Sequence, residues 1–273
     1  MRLLHGLLIM FFFFPSVLLA EDAVPTHSCN ELTATGNSEY PPFLWRSKDA
    51  PLVLKGVNRL ILDELSRRTG IAIRVIHTGP WSRAQYEVEQ GRVDLMAGAF
   101  YTRERSDYMD YFTPVMLYTT SVVWQNIEAR FPYHQQGDLK GKLGVSVINN
   151  SFGQAFDQFA EQNLNMISVA SLSQALRMLS AKRVDYVLYE KNPAYAYASL
   201  LGLTNNLVAV SPSVSSEGLY LTLSKHSPCN NAMVKQNIAQ ALADMVADGF
   251  NDQAMETGMA QWRAYSKGLK AGS

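Results

Sequence analysis

The sequence predicts an α/β protein, and three features carry this prediction. Segments with apolar residues at helical spacing alternate with short runs of β-branched and apolar residues, the order expected when helices cover a sheet. The chain has 273 residues, enough for one large or two medium domains. The stretches Gly91-Arg92-Val93-Asp94 and Lys182-Arg183-Val184-Asp185 each follow a predicted helix and open a buried strand. Two lobes of similar architecture would produce this short repeat, but it could also arise by chance.

The first predicted elements lie in residues 54–99. A helix over 54–69 carries an apolar stripe and is followed by Gly70, a typical C-cap. Residues 71–76 are β-branched and predict a strand. A second helix over 82–90 ends at Gly91, and the apolar run 93–99 predicts a buried strand.

The later part of the chain repeats this alternation. Strands are predicted over 143–147 and 184–189, and helices over 152–162 and 173–180. Ser227 followed by Pro228 predicts an N-cap with proline at the first helical position. The helix that starts there is expected to end at Gly249.

The first 20 residues resemble a cleaved export signal. Arg2 precedes an apolar run over 7–19, and Ala20 comes before an acidic pair. The alternative is a membrane anchor, but the run is shorter than the roughly 20 apolar residues that span a bilayer and it contains Pro15. No lipid-attachment cysteine follows, so an exported protein without a lipid anchor is expected.

Charge and cysteine content narrow the class of protein. The 24 basic residues equal the 24 acidic ones, which argues against nucleic acid or an anionic membrane surface as a partner. Cys29 and Cys229 are the two cysteines. In an exported protein they favour a disulfide bond, and two separate buried thiols are the alternative. Neither has metal-ligand spacing, and no hydrolase, zinc-protease or phosphate-loop motif occurs.

Five short segments, in this order and spacing, resemble the bacterial extracellular solute-binding proteins of family 3, the receptors that feed polar amino acids to ABC importers. They are Tyr40-Pro41-Pro42-Phe43, Gly79-Pro80-Trp81-Ser82-Arg83, Gln90-Gly91-Arg92-Val93-Asp94-Leu95, Tyr101-Thr102-Arg103-Glu104-Arg105 and Asp110-Tyr111-Phe112-Thr113-Pro114. The resemblance implies a two-lobe type II periplasmic-binding-protein fold with two hinge crossings. Lobe 1 is then expected to comprise residues 21–117 and 218–273, and lobe 2 residues 118–217.

Arg105 is the first ligand-binding residue that the resemblance implies. The family places an arginine in the turn after a buried strand, within a Thr-x-x-Arg pattern that Thr102 and Arg105 match, and this arginine clamps a ligand carboxylate. A guanidinium suits that role because it presents a rigid fork of donors. Thr102 is expected to cap the helix start, where backbone N–H groups can share the anion. A solvated arginine beside Arg103 and Glu104 is the alternative.

Glu190 is the second candidate, at the end of the strand predicted over 184–189. The family often has an aspartate there, which receives the ligand's ammonium group. A surface glutamate paired with Lys191 is the alternative. Phe100 departs from the family, which commonly has a small or hydroxyl-bearing residue at this place that helps to hold the ammonium. The ammonium would then rely on Glu190 and on ring faces.

Aromatic and turn residues complete the predicted site. Tyr40 and Trp81 are expected to present rings to the ligand, while Phe43 is expected in the core. The family has a Gly-Thr-Ser/Thr turn near residues 147–152, and here Asn150 or Ser151 could fill its role. Capping of the next helix is an equal alternative for both.

The sequence therefore predicts a periplasmic solute-binding protein that is not an enzyme. It is expected to bind a small polar amino acid or related zwitterion, to need no cofactor or metal, to act as a monomer and to deliver its ligand to the membrane subunits of an ABC importer. Two alternatives remain. One is a dehydratase-like enzyme with Glu190 as its general acid; the other is a receptor that reports to a membrane sensor without transport.

Overall fold

The computed structural model of the chain describes residues 29–47 and 50–271. The predicted export signal, residues 1–20, lies outside the described residues. Within them, no helix is both long and apolar enough to cross a membrane.

Strands and helices alternate as the sequence predicts. The strands are β1 Glu31–Thr35, β2 Glu39–Tyr40, β3 Leu44–Arg46, β4 Leu54–Lys55, β5 Ala72–Val75, β6 Leu95–Ala99, β7 Met109–Tyr111, β8 Leu117–Asn126, β9 Leu143–Val147, β10 Asn165–Val169, β11 Tyr186–Glu190 and β12 Leu207–Ser224. The α-helices are α1 Val57–Thr69, α2 Trp81–Glu89, α3 Arg103–Ser106, α4 Gln154–Asn163, α5 Leu172–Ser180, α6 Lys191–Leu200, α7 Ala232–Ala247 and α8 Phe250–Ala271, and two short 3₁₀ helices span Ile127–Ala129 and Gln136–Leu139.

Nine strands form one curled sheet in the order β10-β9-β11-β8-β12-β6-β1-β5, with β7 paired to β12. The remaining strands β2, β3 and β4 form a separate small sheet. Strands β1, β5 and β6 are parallel to one another, as are β9, β10 and β11. The first group, with β7, α1–α3, α7, α8 and the small sheet β2–β4 that contacts α1, is called the first lobe. The second group, with α4–α6, is called the second lobe. This is the predicted α/β architecture with two lobes.

The long strands β8 and β12 belong to both lobes. The first part of β12 pairs with β8, whereas its last residues pair with β6 and β7. Gly218 lies opposite Tyr118, and Glu217 opposite Thr119. The lobe boundaries expected at 117/118 and 217/218 thus face each other across one strand pair; the boundaries themselves remain a prediction. The sequence pattern predicts neither long strand.

Helix ends follow local chemistry, with two corrections to the predicted starts. The helix expected from residue 54 begins at Val57, because Leu54–Lys55 form strand β4. Gly70 ends α1 with a left-handed φ of 70°, and the hydroxyl of Ser171 caps α5. The start expected at Ser227-Pro228 is wrong, because α7 begins at Ala232 with Asn231 as its N-cap. Ser227 is engaged elsewhere: its hydroxyl donates to the carboxylate of Asp94 at 2.6 Å and accepts the N–H of residue 229 at 3.0 Å.

The predicted disulfide is present and joins the start of the described chain to the segment before α7. Cys29 and Cys229 are 200 residues apart, with their Cα atoms separated by 5.5 Å. In the chain-entropy treatment, closing a loop of this length stabilises a fold by about 5 kcal/mol. The bond therefore ties β1 to the C-terminal helices of the same lobe.

Candidate functional site

A small cavity lies between the two lobes, with free space of about 20 Å³, which is room for about one water molecule. It is called the inner cavity. The first lobe contributes the end of β6, the start of α2 and the helix α3, and the second lobe contributes the end of β11 and the turn after β9. Its walls consist of Asn37, Tyr40, Trp81, Gly98, Phe100, Arg105, Asn150, Glu190 and Leu219. The structure thus brings six of the eight predicted ligand-binding residues to one space.

Arg105 lies in α3 and is 95 % buried, with 5 % of its surface exposed. Its Nε donates to Gln85 Oε1 at 3.1 Å, and its Nη1 donates to the main-chain oxygen of Phe100 at 3.2 Å. Its Nη2 donates to the main-chain oxygen of Asn149 at 2.8 Å. These three bonds leave two of the five guanidinium N–H donors for a ligand. The fork is held in one orientation by protein acceptors, and the solvated alternative is excluded.

The main-chain oxygen of Asn149 accepts two further donors from the first lobe. The indole Nε1 of Trp81 lies 3.1 Å away, and Nε2 of Gln85 lies 3.2 Å away. Trp81 also faces Arg105, whose guanidinium carbon is 5.4 Å from the ring centroid. Gln85 is therefore a central residue of the site that sequence reasoning missed. It lies one helical turn after Trp81, on the same face of α2, and that spacing is the signal that could have found it.

Aromatic rings form much of the remaining wall. Tyr40 packs against Phe43, with ring centroids 5.0 Å apart, and against Tyr189 at 6.3 Å. Phe43 is fully buried and does not line the cavity, as expected of a core residue. Phe100 is 96 % buried, with 4 % exposed. The rings suit ligand groups that are apolar, planar or cationic.

Glu190 is the acidic member of the inner cavity and is 2 % exposed. Burial raises the pKa of its carboxyl from 4.5 to about 7, although the approach of Asn150, Arg105 and Tyr40 lowers that pKa in part. Its Oε2, the Tyr40 hydroxyl and Nδ2 of Asn150 lie near one another, but among the described residues none of them makes a hydrogen bond of ordinary length and angle. Buried polar groups are normally paired, so this side of the cavity offers unmet hydrogen-bonding capacity. The surface-glutamate alternative is excluded.

Thr102 and Ser151 do not line the inner cavity. Both face a larger cleft outside it, which is called the outer cleft. The Thr102 hydroxyl accepts the N–H of Arg105 at 3.1 Å and so caps α3, as expected. The Ser151 hydroxyl donates to the carboxylate of Asp157 and accepts the N–H of Gly153 at 3.2 Å. Both hydroxyls are therefore engaged in capping and turn contacts. A direct role for either in ligand binding remains a prediction.

Three wall residues were not anticipated: Asn37, Gly98 and Leu219. Asn37 donates from Nδ2 to the Tyr189 hydroxyl at 3.0 Å and so connects the two lobes beside the cavity. Gly98 has a φ of 95°, and a Cβ at this position would come within 2.7 Å of Nδ2 of Asn58. A glycine is therefore required where β6 reaches the cavity. Among the described residues, no group of three His, Cys, Asp or Glu side chains could hold a metal ion.

Comparisons with known proteins agree with this architecture. The family model for bacterial extracellular solute-binding proteins, family 3, matches residues 32–258. No curated protein sequence is significantly similar to the chain.

Many solved structures share the fold. A histidine kinase sensor domain with similarity to periplasmic binding proteins has a TM-score of 0.70 and 20% identity, over 85% of this chain and 95% of that one. A mutant of the arginine-binding protein of T. maritima has a TM-score of 0.70 and 18% identity, over 85% and 96%. An amino acid ABC transporter substrate-binding protein from Streptococcus pneumoniae, bound to L-arginine, has a TM-score of 0.70 and 16% identity, over 85% and 96%. These likenesses establish the type II periplasmic-binding-protein fold.

Proposed function

The chain belongs to the bacterial extracellular solute-binding proteins of family 3, and on that premise we propose that it captures a small polar amino acid or related zwitterion in the inner cavity. It would then present this ligand to the membrane subunits of an ABC importer. The relatives of known structure that bind amino acids support the ligand class. The family's extracellular setting supports export to the periplasm through the N-terminal signal.

One observation carries the proposal: a cation and an acid line the same small cavity together with three aromatic rings. Arg105 and Glu190 are both buried, and Tyr40, Trp81 and Phe100 share the cavity with them. A zwitterion places one negative and one positive group a few ångströms apart, so it matches this pair of charges. A buried charge without a partner is costly, and a zwitterion supplies both partners at once.

We propose a role for each group. The two unused N–H donors of Arg105 would take the ligand carboxylate. Ionised Glu190 would take the ammonium, with the faces of Tyr40 and Trp81 beside it. The Asn150 amide and the Tyr40 hydroxyl would meet the remaining polar atoms. Because the inner cavity as it stands has room for little more than one water molecule, the two lobes would have to separate by a hinge motion to admit the ligand.

A thermal-shift screen tests the proposal. The purified protein is heated with single amino acids, with amines and with small carboxylates, each at the same concentration. A zwitterion should raise the melting temperature, because a ligand that binds only the folded state stabilises it by mass action. The matching amine or carboxylate alone should raise it much less. The proposal fails if no zwitterion shifts the melting temperature of the wild type.

A receptor that reports ligand to a membrane sensor is a second candidate. The likeness to the histidine kinase sensor domain is the observation that favours it. Both candidates predict the same ligand screen, so the partner distinguishes them. Reconstituted importer subunits that hydrolyse ATP faster with the liganded protein would support transport; the absence of this stimulation, with binding intact, would support the receptor.

A further inference from the structure

The two lobes are joined at one atom by an unusual concentration of hydrogen bonds. The main-chain oxygen of Asn149, in the second lobe, accepts from Arg105 at 2.8 Å, from Trp81 at 3.1 Å and from Gln85 at 3.2 Å, all in the first lobe. Every bond is made between protein groups, so none of them requires a ligand atom as a bridge.

The local backbone explains why this oxygen faces the first lobe. Asn149 follows β9 and has a φ of 59°, in the left-handed region that asparagine tolerates better than most residues. The N–H of Asn150 turns back to the main-chain oxygen of Val147 at 3.0 Å. Because N–H and C=O of one trans peptide point in opposite directions, the Asn149 oxygen must point away from its own turn.

This oxygen is bound by the same guanidinium whose two remaining N–H donors would hold a ligand carboxylate. A buried guanidinium needs acceptors, and a main-chain carbonyl supplies one of them just as a carboxylate oxygen does. We infer that the Asn149 carbonyl is a built-in acceptor that latches the lobes together through Arg105, and that Gln85 is the positioning residue of this latch. The name latch refers to Trp81, Gln85, Arg105 and the Asn149 carbonyl.

Gln85 is singled out because it uses both ends of its amide. Its Oε1 accepts from Arg105 Nε at 3.1 Å, and its Nε2 donates to the Asn149 oxygen at 3.2 Å. It is 6 % exposed. The side chain therefore braces the arginine and the carbonyl, which are also bonded to each other directly.

Other contacts between the lobes agree with a latched arrangement. The N–H of Leu172 donates to Glu39 Oε2 at 3.1 Å, and that of Arg103 donates to Gln154 Oε1 at 2.9 Å. On another side, Trp262 of α8 packs between Trp45 and Tyr197, with centroids 5.3 and 6.5 Å away. The lobes are thus held by protein groups at several points, with the latch nearest to the inner cavity. The inference holds for any ligand and goes beyond the proposed function.

A distance measurement between the lobes tests the latch. Glu89 in the first lobe and Gln158 in the second are exposed and line the outer cleft, so spin labels are placed at Glu89→Cys and Gln158→Cys in oxidised protein that keeps its disulfide. Pulsed EPR is recorded on protein refolded from denaturant, which removes any carried-over ligand. One narrow distance matching this structure is expected. A broad or mainly longer distance would overturn the inference.

Substitutions in and next to α2 then test whether Gln85 is the group that holds the lobes closed. Gln85→Leu removes both bonds and should raise the ratio of open to closed protein about tenfold; Gln90→Leu, the same change at the exposed end of the helix, should leave it unchanged. Gln85→Glu keeps an acceptor for Arg105 but loses the donor to Asn149, so it should open the lobes as well. Closed lobes in both Gln85 variants would overturn the latch, because other contacts would then account for closure. Since no ligand is used, this result is independent of the ligand screen.

Discussion

The two ends of the inner cavity differ in how many of their hydrogen-bonding groups already have a partner within the protein. At the Arg105 end, three guanidinium donors, the Trp81 indole and the Gln85 amide all have protein partners. At the Glu190 end, a carboxylate oxygen, the Tyr40 hydroxyl and the Asn150 amide nitrogen lie near one another, but within the described part of the chain they make no hydrogen bond of ordinary length and angle. One end is organised in advance, and the other has polar groups still to be matched.

This difference indicates how binding energy is divided. An arginine already fixed by three acceptors loses little side-chain entropy when a carboxylate arrives, so that end supplies orientation and affinity. The Glu190 carboxyl is buried without a counter-charge in contact, which is why its pKa is raised to about 7. Under the proposed function, a ligand ammonium would supply that charge, and this end would select for ligands that carry an amine.

The largest expected effect is at the organised end. Arg105→Ala removes the carboxylate clamp and should weaken binding by roughly 2–4 kcal/mol, about thirty-fold to nearly a thousand-fold. Arg103→Ala is the matched control, since Arg103 is an exposed neighbour in α3. Titration calorimetry with the ligand from the screen measures both. Equal, small effects of the two changes would reject Arg105 as the clamp.

The next expected effect is on how the free energy of unfolding depends on pH, and it arises at the Glu190 end of the cavity. A raised pKa means that the folded protein holds the Glu190 proton more tightly than the unfolded chain, so the glutamate lowers stability as pH rises from about 4.5 to about 7. Glu190→Gln should therefore match the wild type near pH 4.5 and exceed it above pH 7, by on the order of 3 kcal/mol. Denaturant unfolding at several pH values measures the difference. A constant difference at all pH values would contradict the shifted pKa.

The same substitution tests how the acid is used. Glu190→Gln keeps the shape and removes the charge, so binding of zwitterions should weaken about 10–100-fold while ligands without an amine change little. Glu161→Gln, an exposed glutamate of α4, is the control. If Glu190 were instead a general acid, binding would persist and turnover would stop. Mass spectrometry of a long incubation decides: product formed by the wild type and not by Glu190→Gln would favour the enzyme.

Much of the fold could be predicted because its helices and buried strands have local signatures. Strand β9 was predicted with its observed bounds, and Gly70 was identified as a C-cap for a conformational reason. The long strands β8 and β12 were missed because polar residues interrupt their apolar pattern where they cross between the lobes. Their pairing is a tertiary property. The start of α7 was misplaced because the Ser227 hydroxyl bonds to Asp94, 133 residues away.

The residues of the site also fall into those that the sequence predicts and those that it does not. Side chains at the ends of buried strands, such as Arg105 and Glu190, could be proposed from their position and from the family resemblance. The Asn149 contact could not, because a main-chain oxygen has no residue type and its direction depends on a turn. Gln85 was missed because its partners come from two distant segments. Sequence thus indicates which side chains reach the cavity but not which of them the protein itself engages.

The smallest expected effect separates a residue that touches the ligand from one that positions Arg105. Thr102 is 8 % exposed and lies outside the inner cavity, and its hydroxyl accepts the Arg105 N–H at 3.1 Å. Thr102→Ala removes the cap of α3, worth about 1 kcal/mol, so binding should weaken only about three- to tenfold through a less fixed arginine. Thr102→Ser keeps the capping oxygen and should restore wild-type affinity. In the Arg105→Ala background, Thr102→Ala should have no further effect on binding, because the group it positions is gone. A full, additive loss in that double variant would show that Thr102 contacts the ligand directly.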